Sequence, residues 1–153
     1  MADQTDRPLT NMQLLKLLFF AHGWMLAGKG RPLISNNFEA WEYGPVVRVV
    51  YEQFSKYKKN PIAARAKRVD ILTGEVSTYE YNFDSETETF LTTILDAYSE
   101  FSGPVLSNMT HEPGSPWDQV WNRDDGTINL GLRISDADIK SYFESVARRE
   151  ARN

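Results

Sequence analysis

The 153 residues contain no cysteine, which removes disulfides, thiol nucleophiles and cysteine-based zinc sites from consideration. A reducing, cytoplasmic setting is the natural expectation. Histidine is nearly as scarce, with only His22 and His111. No apolar run reaches the roughly 20 residues a membrane span needs; the longest, residues 12–26, is interrupted by Gln13, Lys16 and His22. The opening stretch "MADQTDRPLTN" lacks the basic and then apolar order of a signal peptide. Positive charge is also short. The net charge of −4 argues against nucleic acid as the default ligand, because backbone phosphates demand a clustered positive surface. There is no Gly-x-Ser-x-Gly elbow, phosphate-cradling loop or dinucleotide fingerprint, and no internal repeat or low-complexity linker.

Helical signals dominate what is present. Thr10 and Gln13 form a capping-box pattern ahead of a helix over residues 11–27. Leu14, Leu15, Leu18, Ala21 and Met25 recur at helical spacing, and Leu17, Phe20 and Trp24 widen that stripe into a central helix touched on several sides. Gly23 inside it points to a close helix crossing, and "GKG" at residues 28–30 stops it. After an aromatic connector carrying Phe38, Trp41 and Tyr43, Gly44-Pro45 places a proline at the first turn of a second helix, residues 46–57.

A basic stretch with a breaker at Pro61 follows, then an alternating segment with a turn at Thr73-Gly74. This predicts a small hairpin, residues 68–72 against 76–81, which must lie against the helices to be stable. A capping box at Ser85 and Glu88 opens a helix to about residue 101. Gly103-Pro104 and Ser115-Pro116 start two short helices. A loop through "DDGTINLGLRI" leads to a last helix, capped by Ser135, over residues 136–149. The expectation is a mainly α protein, a compact bundle of about six helices with a small β-hairpin, forming one domain over residues 1–153 with loose ends at 1–9 and 150–153.

Chemistry is sparse. His111-Glu112 resembles the start of a helical zinc motif, which needs a second histidine one turn on; Ser115 stands there instead, and Pro113-Gly114 ends any helix. Neither a metal nor a cofactor is implied. His22 and His111 are the one pair available to a metal-independent nuclease. A core role for His22 and a helix-end role for His111 are the simpler reading. The basic cluster Lys56, Lys58, Lys59, Arg65, Lys67 and Arg68, with Tyr57 inside it, is the candidate surface for autoregulatory DNA binding. The acidic segment that follows it weakens that case. Trp41, Tyr43, Trp117 and Trp121 sit on Gly- and Pro-rich corners, where rigid aromatics make interface anchors at low entropic cost.

Three strings carry a resemblance: "KLLFFAHGW" at residues 16–24, "FEAWEYGPVV" at residues 38–47, and "LSNMTHEPGSPW" at residues 106–117. Together, in this order, they resemble the SocA-like antitoxin domain, also called the Panacea domain. That resemblance implies a compact, mainly helical domain of bacteria and their phages, encoded beside a small toxin that it binds and blocks. Enzymatic activity is not implied. The family's motif positions map onto His22, Gly23, Trp24, Trp41, Tyr43, Gly44, Pro45, Thr110, His111, Ser115, Pro116 and Trp117. Most of these read as architecture, with "THEPGSPW" as a structural corner clasped by Thr110 and His111. Partner choice needs surfaces that differ between relatives. The expected partner contacts are therefore Trp41, Tyr43, Tyr57, Lys58, Lys59, Lys67 and Arg68, on the connectors and hairpin.

Overall fold

A computed structural model describes residues 8–123, 126 and 130–153. Among these, the chain is mainly helical with small antiparallel strand pairs, which is the expected fold class. The first helix, α1 (Asn11–Lys29), opens with the full capping box: Thr10 Oγ1 accepts from Gln13 N–H, and Gln13 Oε1 accepts from Thr10 N–H. It runs through Gly28 and ends at Gly30, whose φ of 66° is the left-handed cap that glycine adopts freely. Its apolar arc is so wide that the helix is buried along most of its length. The helices α2 (Arg48–Phe54), α3 (Ser85–Tyr98), α4 (Gly103–Thr110) and α6 (Asp136–Glu150) all pack against it. Between α4 and α6 lies α5 (Pro116–Trp121).

The core is aromatic. Phe19 meets Phe38 and Phe143 edge-on at ring-centroid distances of 5.3 and 5.8 Å, and Phe20 stacks on Tyr98 at 4.5 Å. Each buried ring of this kind contributes about 2–3 kcal/mol through area removed from water. Gly23 lets α6 approach α1 closely, because the ring of Phe143 fills the space a side chain there would take. Leu9 is buried and its carbonyl accepts from Ile62 N–H, so packed structure begins before α1. Of the expected loose end at residues 1–9, residues 1–7 lie outside the described residues, as does part of the expected loop, at 124–125 and 127–129.

Four details correct the sequence reading. Gly44-Pro45 does not begin a helix. The aromatic connector forms strand β1 (Phe38–Trp41), which turns through Glu42-Tyr43 into β2 (Gly44–Val46). Pro45 pairs with Ala40 there and is tolerated because β2 is an edge strand. Helix α2 is correspondingly short, with a 3-10 turn at Ser55–Tyr57. The hairpin is β3 (Lys67–Val69) with β4 (Val76–Thr78), and its strand residues are all exposed rather than laid on the helices. The cap of α3 is Asp84, which accepts from Thr87 N–H, not Ser85. Finally, β5 (Arg133–Ile134) adds a third strand beside β1, giving the order β2-β1-β5.

Candidate functional site

The three motif strings meet in space. The two-residue turn at Glu42-Tyr43 reverses the chain into Gly44, whose φ of 102° suits glycine. A Cβ on Gly44 would lie 2.5 Å from Thr110 Oγ1 and 2.9 Å from Lys16 Cε, so α1 and α4 press on this turn from two sides. Hydrogen bonds then tie the turn to the second corner. Ser107 Oγ donates to the Tyr43 carbonyl at 2.7 Å, Thr110 Oγ1 donates to the Ser107 carbonyl at 2.6 Å, and Trp117 Nε1 donates to the Trp41 carbonyl at 2.7 Å. Ser115 caps α5 by accepting from Asp118 N–H, and its own hydroxyl donates to the Thr110 carbonyl at 2.8 Å. His111 stacks on Trp117 at 3.8 Å, and Trp117 on Trp121 at 5.6 Å. Pro116 is buried at the first turn of α5, where its missing N–H costs nothing.

At the centre of this junction sits Lys16, 1 % exposed. Its Nζ donates to the Pro45 carbonyl at 2.9 Å and has no carboxylate partner among the described residues. Burial pushes its ammonium down to about 7, because a charge out of water is favoured only when paired. His111 is also held below its usual range, first by burial and then by the Lys16 charge, and its Nε2 is buried without a partner. Nearby on α1, Asn11 Nδ2 donates to the Tyr51 carbonyl at 3.1 Å while Asn11 Oδ1 is buried with no partner.

Asn11 and Lys16 belong to the lining of a groove of about 350 Å³, with Trp41, Tyr43, Tyr51 and Lys58 around it. Tyr43 is 60 % exposed at its rim, and Lys58 reaches the rim from a backbone at φ 53°, ψ −116°. That conformation is costly for a residue with a Cβ, and such strain persists only where the surroundings impose it. Trp41 stands between Tyr51, edge-on at 5.0 Å, and the guanidinium of Arg48 at 5.1 Å; its Nε1 donates to Glu39.

The structure therefore gathers Trp41, Tyr43 and Lys58, three of the expected contact residues, around one groove. It places Lys67 and Arg68 apart on the exposed hairpin, and leaves Tyr57 half-buried with Lys56 Nζ 5.2 Å from its ring centroid and Lys59 exposed beside it. Sequence reading missed Asn11, Lys16 and Tyr51. A lone lysine inside an otherwise apolar arc was the available signal for Lys16. It also missed the rings of Tyr79, Tyr81 and Phe83, stacked at 4.6 and 5.4 Å on the solvent side, although their strict alternation in "TYEYNF" marks them.

The histidines occupy separate environments. His22 is fully buried; its Nε2 bonds Asp136 at 2.9 Å and its Nδ1 accepts from Ile34 N–H at 3.4 Å, clasping α1 to the start of α6. Trp24 Nε1 donates to Tyr98 Oη at 2.9 Å, tying α1 to α3. Among the described residues, no three His, Asp or Glu side chains converge as a metal-ligand set, and no helix is long and apolar enough to cross a membrane.

Comparison with known proteins finds a family match that spans all three strings. Residues 14–118 match the family model described as antitoxin SocA-like, Panacea domain. The chain is 40 % identical over 138 residues to antitoxin SocA of Caulobacter vibrioides strain NA1000 / CB15N, an alignment spanning 90 % of this chain and 73 % of that protein. No solved structure matches. By the span of the family match and the identity to that relative, this chain belongs to the SocA-like antitoxin, Panacea domain, family.

Proposed function

We propose that this protein is an antitoxin that neutralises a toxin encoded beside it by binding the toxin protein directly, without chemistry of its own. The observation that carries this reading is the β3–β4 hairpin. No residue from 67 to 86 is buried, and at its tip Ile71 and Leu72 are 97 and 96 % exposed. Tyr79, Tyr81 and Phe83 form an exposed ladder on the same segment, and Lys67 and Arg68 add positive charge. An apolar surface that no packing explains marks a site of association. Rigid aromatics give such a surface its anchors.

The test is to express the adjacent small reading frame with and without this protein, and to pass the mixture over a sizing column. Expected is growth arrest that this protein relieves, and a co-eluting complex. The double variant Ile71→Asp, Leu72→Asp is expected to keep the thermal midpoint and lose the complex. A harmless neighbour, or arrest that persists with no complex formed, overturns the reading. Replacing both histidines by Gln addresses enzymatic action: loss of a hydrolytic activity from a still-folded variant would replace binding with catalysis.

A further inference from the structure

We infer that the groove over Lys16 receives an acidic side chain of the bound toxin, its carboxylate paired with the Lys16 ammonium and a neighbouring main-chain N–H of the toxin donated to Asn11 Oδ1. This rests on the antitoxin reading and adds to the hairpin a second, polar point of contact.

Two incomplete groups in one lining argue for it. The Lys16 ammonium has three donors and makes one hydrogen bond, to the Pro45 carbonyl; no counter-charge lies within ion-pair distance among the described residues. Asn11 Oδ1 is buried and unbonded while its amide nitrogen is fixed to Tyr51. Each deficit costs free energy in the unbound protein that a partner can restore. The deficits are complementary to a peptide: Lys16 needs an acceptor bearing negative charge, and Asn11 needs a donor. The walls fit as well. Trp41, Tyr43, Tyr51, Leu15 and Val46 supply apolar surface in the same lining as Asn11 and Lys16, and about 350 Å³ has room for one or two residues. Lys58, held at the rim by its strained backbone, adds a steering charge of the right sign. Glu42 is the one carboxylate of the lining; it is exposed, where water and salt screen its repulsion.

The experiment begins with this protein alone. The capped dipeptide acetyl-Leu-Asp-amide is titrated while NMR follows the Asn11 side-chain amide and the Trp41 indole. Its uncharged isostere, acetyl-Leu-Asn-amide, is titrated in parallel. Expected is saturable, millimolar binding of the Asp probe, at least five-fold weaker for the Asn probe and for Lys16→Met. Tyr43→Ala, at the exposed rim, guards against misfolding and is expected to weaken the Asp probe with the thermal midpoint unchanged. Equal binding of the two probes, or no shift with either, overturns the site. The toxin is then titrated against wild type and Lys16→Met. A ten-fold or greater loss of affinity for Lys16→Met is expected; full toxin affinity in a variant that no longer binds the probe overturns the assignment to the toxin. If the wild type itself does not bind the toxin, the antitoxin reading fails, and the dipeptide result separates that failure from failure of the groove.

Discussion

Gly23 of α1 and Phe143 of α6 touch so closely that a Cβ on the glycine would lie 2.2 Å from Phe143 Cε2. The ring has no room to retreat, since it packs edge-on against Phe19, Phe20 and Trp24 at 5.8, 6.2 and 5.0 Å. Gly23→Ala therefore overpacks the core at about 2–4 kcal/mol, against a gain of about 1 kcal/mol in helix propensity. A fall in the thermal midpoint of several degrees is expected by calorimetry. An unchanged midpoint would mean that α6 slides freely on α1.

Lys16 gives a pH signature. Burial lowers its folded pKa to about 7, well below the 10.5 of an ordinary solvated lysine. Between these values the unfolded chain binds the proton and the folded chain does not, so stability rises with pH across that window. Below about 7 both states are charged and the folded state carries the full cost of the buried ammonium. Lys16→Met removes this dependence. Denaturant titrations are expected to show the variant gaining most on wild type at pH 6, with the difference shrinking toward pH 10. Parallel curves for the two proteins would show that the amine is well solvated. Tyr142, raised by burial and by its hydrogen bond to Glu112, holds its proton above the ordinary tyrosine range. Stability thus falls again beyond pH 10 in both proteins, outside the informative window.

Ser115 is expected to matter more than an ordinary helix cap. Its oxygen accepts from Asp118 N–H at 3.1 Å and its hydroxyl donates to the Thr110 carbonyl at 2.8 Å, a buried acceptor. Ser115→Ala loses the cap and leaves that carbonyl unbonded, about 2 kcal/mol in total. Urea unfolding measures it. Ser115→Thr keeps the hydroxyl and is expected to recover part of the loss.

Charge reversal at Lys58, Lys59, Lys67 and Arg68 tests steering. If these residues guide the toxin, association slows about ten-fold at low salt while dissociation changes little. Stopped-flow or surface-plasmon kinetics at two ionic strengths separate the two rates. Association that is indifferent to both mutation and salt would confine these basic residues to solubility.

Elements whose signals are local could be read from the chain alone. The Thr10–Gln13 cap, the width of the α1 stripe and the Ser-Pro start of α5 each depend on neighbours a few residues away. The β1–β2–β5 sheet depends on pairing across the chain: Phe38 meets Ile134, and nothing near either residue announces the other. Pro45 misled because a proline after glycine suits a helix start and an edge strand equally well; tertiary pairing decided. The groove was half legible. Trp41, Tyr43 and Lys58 stand out by type, whereas Asn11 and Lys16 look like ordinary polar positions until neighbouring elements cover them. The exposed ladder of Tyr79, Tyr81 and Phe83 was hidden by the assumption that a small hairpin must be sheltered.

That hairpin has an evolutionary corollary. Because no residue from 67 to 83 is buried, up to the Asp84 cap of α3, substitutions in that stretch are expected to leave the protein folding. On the antitoxin reading proposed above, the segment is an exchangeable cassette, able to follow changes in a toxin at little thermodynamic penalty to the scaffold that displays it.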